Sequence, residues 1–137
     1  MRTIIALLLL TSKLLSQDIS GEWKVISYED ETACFDIEND SVQFVDKSNQ
    51  DPENLKKSVL NWIPISYSFD RNKNFTTVVP EGREKLLGTY KLENSEIIFL
   101  IGKFQDKETA QLSFNNDFLI IKHKTRNGFM KFILKRI

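Results

Sequence analysis

Most of the sequence repeats one pattern, in which short runs of alternating apolar and polar residues are separated by turn residues. Tyr67 and Phe69, for example, alternate with two serines before a polar turn at 70–73. An alternation with a period of two is typical of β-strands that bury one face. The pattern predicts eight strands, at residues 22–29, 65–69, 75–79, 86–92, 97–101, 110–114, 118–124 and 130–136.

Seven of the predicted strands follow one another without interruption from residue 65, and the loops between them are short. Consecutive strands joined by tight loops form an up-and-down antiparallel meander. An open meander exposes unpaired backbone groups along its first and last strands, whereas closing the sheet into a barrel removes both edges. Eight strands enclose an interior wide enough for side chains or one small ligand. We therefore predict an all-β fold, an eight-stranded up-and-down antiparallel β-barrel.

One short helix is predicted at residues 51–63, between the first strand and the meander. Asp51 is a suitable N-cap, Pro52 suits the first helical position, and Pro64 ends the helix. An open sheet packed on this helix is the competing architecture. Because a helix of about three turns hardly covers eight strands, the closed barrel is the favoured arrangement.

The first 17 residues have the features of a secretory signal peptide. Arg2 carries a positive charge ahead of the unbroken apolar run at 4–10, and such a run is much shorter than the roughly 20 residues that span a bilayer. A membrane-tethering or buried N-terminal helix is the alternative. We expect cleavage to release residues 18–137 as the β-barrel domain, exported to the periplasm or secreted, without an integral membrane span in the mature chain.

Composition narrows the possible functions. The length of 137 residues suits a single domain, and 19 Lys and Arg balance 19 Asp and Glu, so no net field attracts nucleic acid. One histidine and one cysteine are too few for a structural zinc site or an internal disulfide. No nucleophile elbow or catalytic triad signature occurs either. We therefore expect a non-enzymatic protein with neither a cofactor nor a metal.

The segment at 29–40 combines a lone cysteine with a concentration of carboxylates. Cys34 has apolar neighbours, which favour burial of an inert thiol over pairing with another molecule. The acidic residues do not fit an EF-hand, because Ser41 and Lys47 stand where the loop needs glycine and glutamate. We therefore expect a solvated acidic loop near the barrel rim.

Residues at both ends of the predicted barrel resemble a known family. Gly21 and Trp23 belong to a Gly-x-Trp motif that looks like the opening of lipocalins, and the strand with Arg136 is similar to the one that carries the basic partner of that tryptophan. Further similarity to small bacterial lipocalin-like domains occurs at residues 68–75, 87–92 and 117–121. The resemblance implies a lipocalin-like β-barrel at 18–137 that binds a small hydrophobic ligand. The chain lacks the disulfide and the clear C-terminal helix of typical lipocalins.

Gly21, Trp23 and Arg136 are predicted to close the barrel. Pairing of the first strand with the last brings their ends together, and a guanidinium group stacked on the indole face seals that end. The alternative is an ordinary core tryptophan and a solvated C-terminal arginine.

The predicted ligand-binding residues are the large aromatic side chains of the barrel interior and one histidine. They are Tyr67, Phe69, Phe75, Tyr90, Phe99, Phe114, His123 and Phe132. Aromatic walls with a few hydroxyl groups suit a flat or hydrophobic small molecule, although His123 also suits an ordinary rim position. The same side chains are large enough to fill the barrel. In that case we expect a solid-cored interaction or inhibitor module that meets another protein through residues 30–63.

Overall fold

The computed structural model describes residues 18–46, 51–115 and 117–137, and the predicted signal peptide at 1–17 lies outside these ranges. Within them the chain forms ten strands and one helix. In chain order they are β1 (Gly21–Asp30), β2 (Ala33–Asp36), β3 (Ser41–Phe44), α1 (Pro52–Trp62), β4 (Ser66–Phe69), β5 (Asn74–Val78), β6 (Leu87–Glu93), β7 (Glu96–Ile101), β8 (Asp106–Asn115), β9 (Phe118–Lys124) and β10 (Phe129–Arg136). The described residues include no helix long and apolar enough to cross a membrane.

The sheet closes into a barrel because the first and last strands pair. β1 runs antiparallel to β10, from Trp23 opposite Arg136 to Asp30 opposite Met130. On its other side the first half of β1 pairs with β4, and β4 to β10 pair in sequence order. The closed ring therefore contains eight antiparallel strands, β1 and β4 to β10. This confirms the predicted fold class, an eight-stranded barrel with one short helix.

A short hairpin formed by β2 and β3 occupies most of the segment that was expected to be a solvated loop. β2 pairs with the second half of β1, and among the described strands β3 pairs with β2 alone. Ala33 and Phe35 are buried, whereas Cys34 points to the other face and is half-buried, so the expectation of a buried thiol is not met. Sequence patterning did not identify these two short strands.

An irregularity in β1 changes which side chains face the interior. The register against β10 shifts between Val25 and Ser27, which marks a β-bulge at Ile26. The extra residue brings Tyr28 to the same face as Trp23, and both side chains are buried. Simple alternation along β1 predicts Tyr28 on the opposite face. That prediction is wrong because alternation carries no information about bulges.

The helix α1 lies close to its predicted position and covers the end of the barrel that contains the end of β1. The side chain of Asp51 accepts a hydrogen bond from the backbone N–H of Asn54, which caps the helix. Val59 packs into the core. Trp62, in the last turn, meets Tyr28 edge to face, with ring centroids 5.7 Å apart. The helix is therefore held against β1 by aromatic packing.

The opposite end of the barrel is closed by Trp23 and Arg136. The guanidinium carbon of Arg136 lies 4.2 Å from the centre of the Trp23 ring. The indole Nε1 donates to the carbonyl of Ile19 at 2.8 Å, and Nη1 of Arg136 donates to the carbonyl of Ser20 at 2.6 Å. Because Ile19 is fully buried, the segment that precedes β1 covers this end.

Gly21→Ala is expected to lower the free energy of unfolding by about 2 kcal/mol. Its φ of +124° favours glycine, and a Cβ there lies 2.8 Å from Nη1 of Arg136. Gly82→Ala is the matched control, because Gly82 has a φ of +82° but no atom within 4 Å of its Cβ; we expect a loss of about 1 kcal/mol. Urea titration measures both variants. Equal losses of unfolding free energy in the two variants would contradict an added cost from the short distance between the new Cβ and Arg136.

Trp23→Leu and Arg136→Met are expected to destabilise the fold non-additively, with a coupling free energy of about 1 kcal/mol from the stacked pair. The double-mutant cycle is measured by urea unfolding of the two single variants and the double variant. Trp62→Leu combined with Arg136→Met is the control, since these residues lie at opposite ends of the barrel and their effects should add. Additive losses for the Trp23 and Arg136 pair would contradict a stabilising stack.

Candidate functional site

A cavity of about 340 Å³ lies at the end of the barrel covered by α1. Its wall is formed by inward side chains of the ring strands, by the last turn of the helix and by the loop at 79–86. The volume is within the roughly 300–1,000 Å³ range of small-molecule sites, near its lower limit. The cavity therefore suits one small ligand.

Four aromatic side chains form the apolar wall of the cavity. They are Tyr67 on β4, Phe75 on β5, Phe99 on β7 and Phe132 on β10. All four are buried, since strand alternation places them on the inner face of the ring. Phe75 and Phe99 meet edge to face, with centroids 4.8 Å apart. These mutual contacts give the cavity a rigid apolar surface.

Three polar side chains on the ring strands line the same cavity, Tyr67, Glu108 and His123, and the loop at 79–86 adds Arg83 and Glu84. Glu108 on β8 is directly opposite the buried Phe99 on β7, and His123 on β9 is directly opposite the buried Ala110 on β8. Residues that pair across antiparallel strands share one face of the sheet. Glu108 and His123 therefore point into the barrel mouth.

Burial and the charge of Glu108 control the ionisation of the other two groups. Burial raises the pKa of Tyr67, and the negative charge of Glu108 raises it further. Burial lowers the pKa of His123 from its ordinary value, an effect that the charge of Glu108 partly opposes. Near neutral pH the cavity thus presents a neutral hydroxyl and a neutral imidazole beside the Glu108 carboxylate.

Three of the predicted ligand-binding residues, Phe69, Tyr90 and Phe114, lie on the inner face but do not line the cavity. The ring of Tyr90 is 5.0 Å from that of Phe69, and its hydroxyl donates to the carbonyl of Asp70 at 2.9 Å. Phe114 is partly buried against the same core. These aromatic side chains fill the barrel interior towards Trp23, whereas the end covered by α1 contains the cavity.

The loop at 79–86 forms one side of the cavity mouth and is fixed by hydrogen bonds. Thr77 is fully buried, and its Oγ1 accepts from the backbone N–H of Leu86 at 3.0 Å. The Nε of Arg83 donates to the carbonyl of Asn61 at 2.9 Å. The loop is therefore joined both to β5 and to α1.

Sequence patterning did not identify Trp62, Glu108 or Met130 as cavity residues, although all three line it. The predicted strand begins at Ala110, whereas β8 begins at Asp106. Extending that strand towards its N-terminus shows that Glu108 shares the face of Ala110. No comparable signal exists for Trp62, because the direction in which the helix packs depends on the tertiary structure.

A second depression, of about 580 Å³, lies against the outer face of strands β7 to β10. Exposed polar side chains contribute much of its lining, including Glu96, Gln111 and Lys122. The Lys122 ammonium group lies 4.6 Å from the centre of the Phe129 ring. Because no set of buried aromatic rings converges on this outer surface, the interior cavity is the better candidate site.

No protein-family model matches the sequence, and no curated protein or solved structure matches it either. Within residues 18–46, 51–115 and 117–137, no group of three or more histidine, cysteine, aspartate or glutamate side chains is arranged to hold a metal ion. The candidate site is therefore identified from its geometry alone, without a related site for comparison.

His123 is the one histidine of the chain, so NMR can follow its titration without overlap. We expect its pKa to lie below 6.5, because burial disfavours the imidazolium. Its contribution to stability is then complete above pH 6.5 and is lost as the pH falls through the folded-state pKa, since the unfolded chain binds the proton more readily.

Glu108→Gln should lower the pKa of His123 further, because it removes a charge that favours the imidazolium. Glu22→Gln is the matched control, since Glu22 is exposed at the opposite end of the barrel. A wild-type pKa at or above 6.5, or identical values in the two variants, would contradict the placement of His123 and Glu108 in the cavity.

Proposed function

We propose that the protein is an exported, non-enzymatic carrier of the lipocalin-like type that binds one small hydrophobic ligand inside its barrel. The observation that carries this proposal is the cavity of about 340 Å³ with an aromatic wall at one end of the closed barrel. The cavity is partly open to water at the barrel mouth. A ligand that covers its apolar wall removes apolar surface from water, which is favourable, whereas a purely structural barrel gains nothing from such an opening.

Features outside the cavity also support this proposal. The eight-stranded antiparallel ring with one short helix is compatible with a lipocalin-like fold. Arg136 stacks on Trp23, the arrangement that the resemblance implies for the closed end. Export is inferred from the charged start and the apolar run at 4–10.

Residues 30–63 favour a second candidate function, a protein-interaction or inhibitor module. β3 lies at the open edge of the described sheet, and an unpaired strand edge is able to accept a strand from a partner. Val45, just beyond this strand, is 77% exposed, and Leu60 on the helix is 45% exposed. An interaction module does not use the cavity. A finding that the folded protein binds no hydrophobic probe would therefore favour this second function over the carrier function.

The neutral fluorescent probe N-phenylnaphthylamine is expected to bind at one saturable site with a Kd of about 1–100 µM. Leu86→Trp places a larger side chain on the cavity wall and should weaken binding by about tenfold. Leu112→Trp is the matched control, a half-buried core leucine away from the cavity, and should bind as the wild type does. Absence of saturable binding, or equal binding by both variants, would contradict the carrier proposal.

A further inference from the structure

We propose that the ligand carries a protonated amine, and that Glu108, Tyr67 and His123 together recognise it inside the cavity. This inference rests on the proposed carrier function, because it assigns the chemistry of the ligand head group in the same cavity. It is drawn from polar side chains that face the cavity and have no hydrogen-bond partner among the described residues.

Tyr67 gives the clearest indication of a polar ligand group. It is 5% exposed, and its hydroxyl forms no hydrogen bond with the described residues. Every fully buried polar side-chain atom of the described chain has a partner, so the Tyr67 hydroxyl oxygen lies at the cavity surface. A tyrosine hydroxyl this deep in an apolar interior is usually hydrogen-bonded. A polar group on the ligand supplies the partner that the neighbouring side chains do not.

Glu108, which is exposed at the rim, and the half-buried His123 also lack a hydrogen-bond partner among the described residues. Within the described chain Glu108 forms no ion pair or hydrogen bond, yet its charge acts on both Tyr67 and His123. The His123 ring contacts Phe99 and Phe132, with centroid distances of 6.5 Å and 5.9 Å, and has no hydrogen bond to a described residue. Three polar groups thus line one cavity together with aromatic rings, and their hydrogen-bonding capacity is available to a ligand.

An ammonium group matches these three side chains in number and polarity. It has three donors and no acceptor. The Glu108 carboxylate, the Tyr67 hydroxyl oxygen and the neutral His123 imidazole each offer an acceptor. The carboxylate also supplies the opposite charge, which strengthens the hydrogen bond. The faces of neighbouring rings such as Phe99 add an attraction for a cation.

The charges of the cavity wall argue against an anionic head group. The described lining residues include two carboxylates, Glu84 and Glu108, and one arginine, Arg83. The Nε of Arg83 is used in its hydrogen bond to Asn61. An anion beside Tyr67 faces the charge of Glu108, and like charges repel more strongly in a partly desolvated site than in water.

Three ligands of matched size and different charge test this inference: phenylbutylamine, phenylbutanol and phenylbutanoate at pH 7.5. Each is titrated against the full mature protein loaded with N-phenylnaphthylamine, and displacement of the probe gives its Kd. We expect the wild type to bind the amine about tenfold more tightly than the alcohol, and the carboxylate most weakly.

Two isosteric variants identify the residue responsible. Glu108→Gln removes the charge and keeps the shape, so we expect it to bind the amine no more tightly than the alcohol. Its urea midpoint should match the wild type, because Glu108 is exposed at the rim. The Kd of the probe is measured for each variant separately, so that every displacement is compared with the probe affinity of the same variant. Glu22→Gln, at the opposite end of the barrel, should keep the preference for the amine.

The outcomes separate this inference from the function on which it rests. Probe binding without a preference for the amine, or a preference that survives Glu108→Gln, overturns the amine inference and leaves the carrier function standing. If a folded protein binds neither the probe nor any of the three ligands, the carrier function fails and the inference fails with it.

Discussion

The pairing of β1 with β10 is the constraint on which the rest of the structure depends. It converts a meander with two exposed edges into a closed ring, and it brings Arg136 over Trp23. These strands are far apart in the sequence, so bringing them together carries a substantial loop-closure entropy. The stacked pair and the hydrogen bonds to Ile19 and Ser20 offset part of it. One end of the barrel is thereby closed by very few residues.

The bulge at Ile26 shapes the other end. Beyond it, β1 turns Tyr28 inward and pairs with β2 instead of β4. Separate elements cover this end of the barrel and contact one another. Tyr28 on β1 contacts Trp62 on the helix, and an ion pair of 3.1 Å joins Lys56 on the helix to Asp40 in the hairpin turn. This end retains a cavity, whereas aromatic rings fill the end near Trp23. The difference between the two ends, rather than the total aromatic content, defines the candidate site.

Alternation along the chain is sufficient to predict the ring, because each ring strand has one face in the core. It also assigns Tyr67 and Phe132 to the interior, where both are buried. It does not assign Phe99, because the strand at 97–101 is apolar on both faces. Alternation does not show how far along the barrel axis each aromatic side chain lies, since that position depends on the register between strands. Glu108 is missed for a related physical reason: an inward-facing charge departs from the apolar pattern by which a strand is recognised. Its direction follows once the strand is extended to Asp106, and the pairing of Glu108 with Phe99 shows it directly.

A crystal structure of the protein with N-phenylnaphthylamine bound tests the central claim most directly, because it locates a ligand relative to both ends of the barrel. We expect electron density for the probe between Phe99 and Phe132, beneath Trp62, with Arg136 stacked on Trp23 at the other end. Density for the probe only on the outer surface, or an interior filled by repacked rings, would contradict the claim that this closed barrel holds a small ligand.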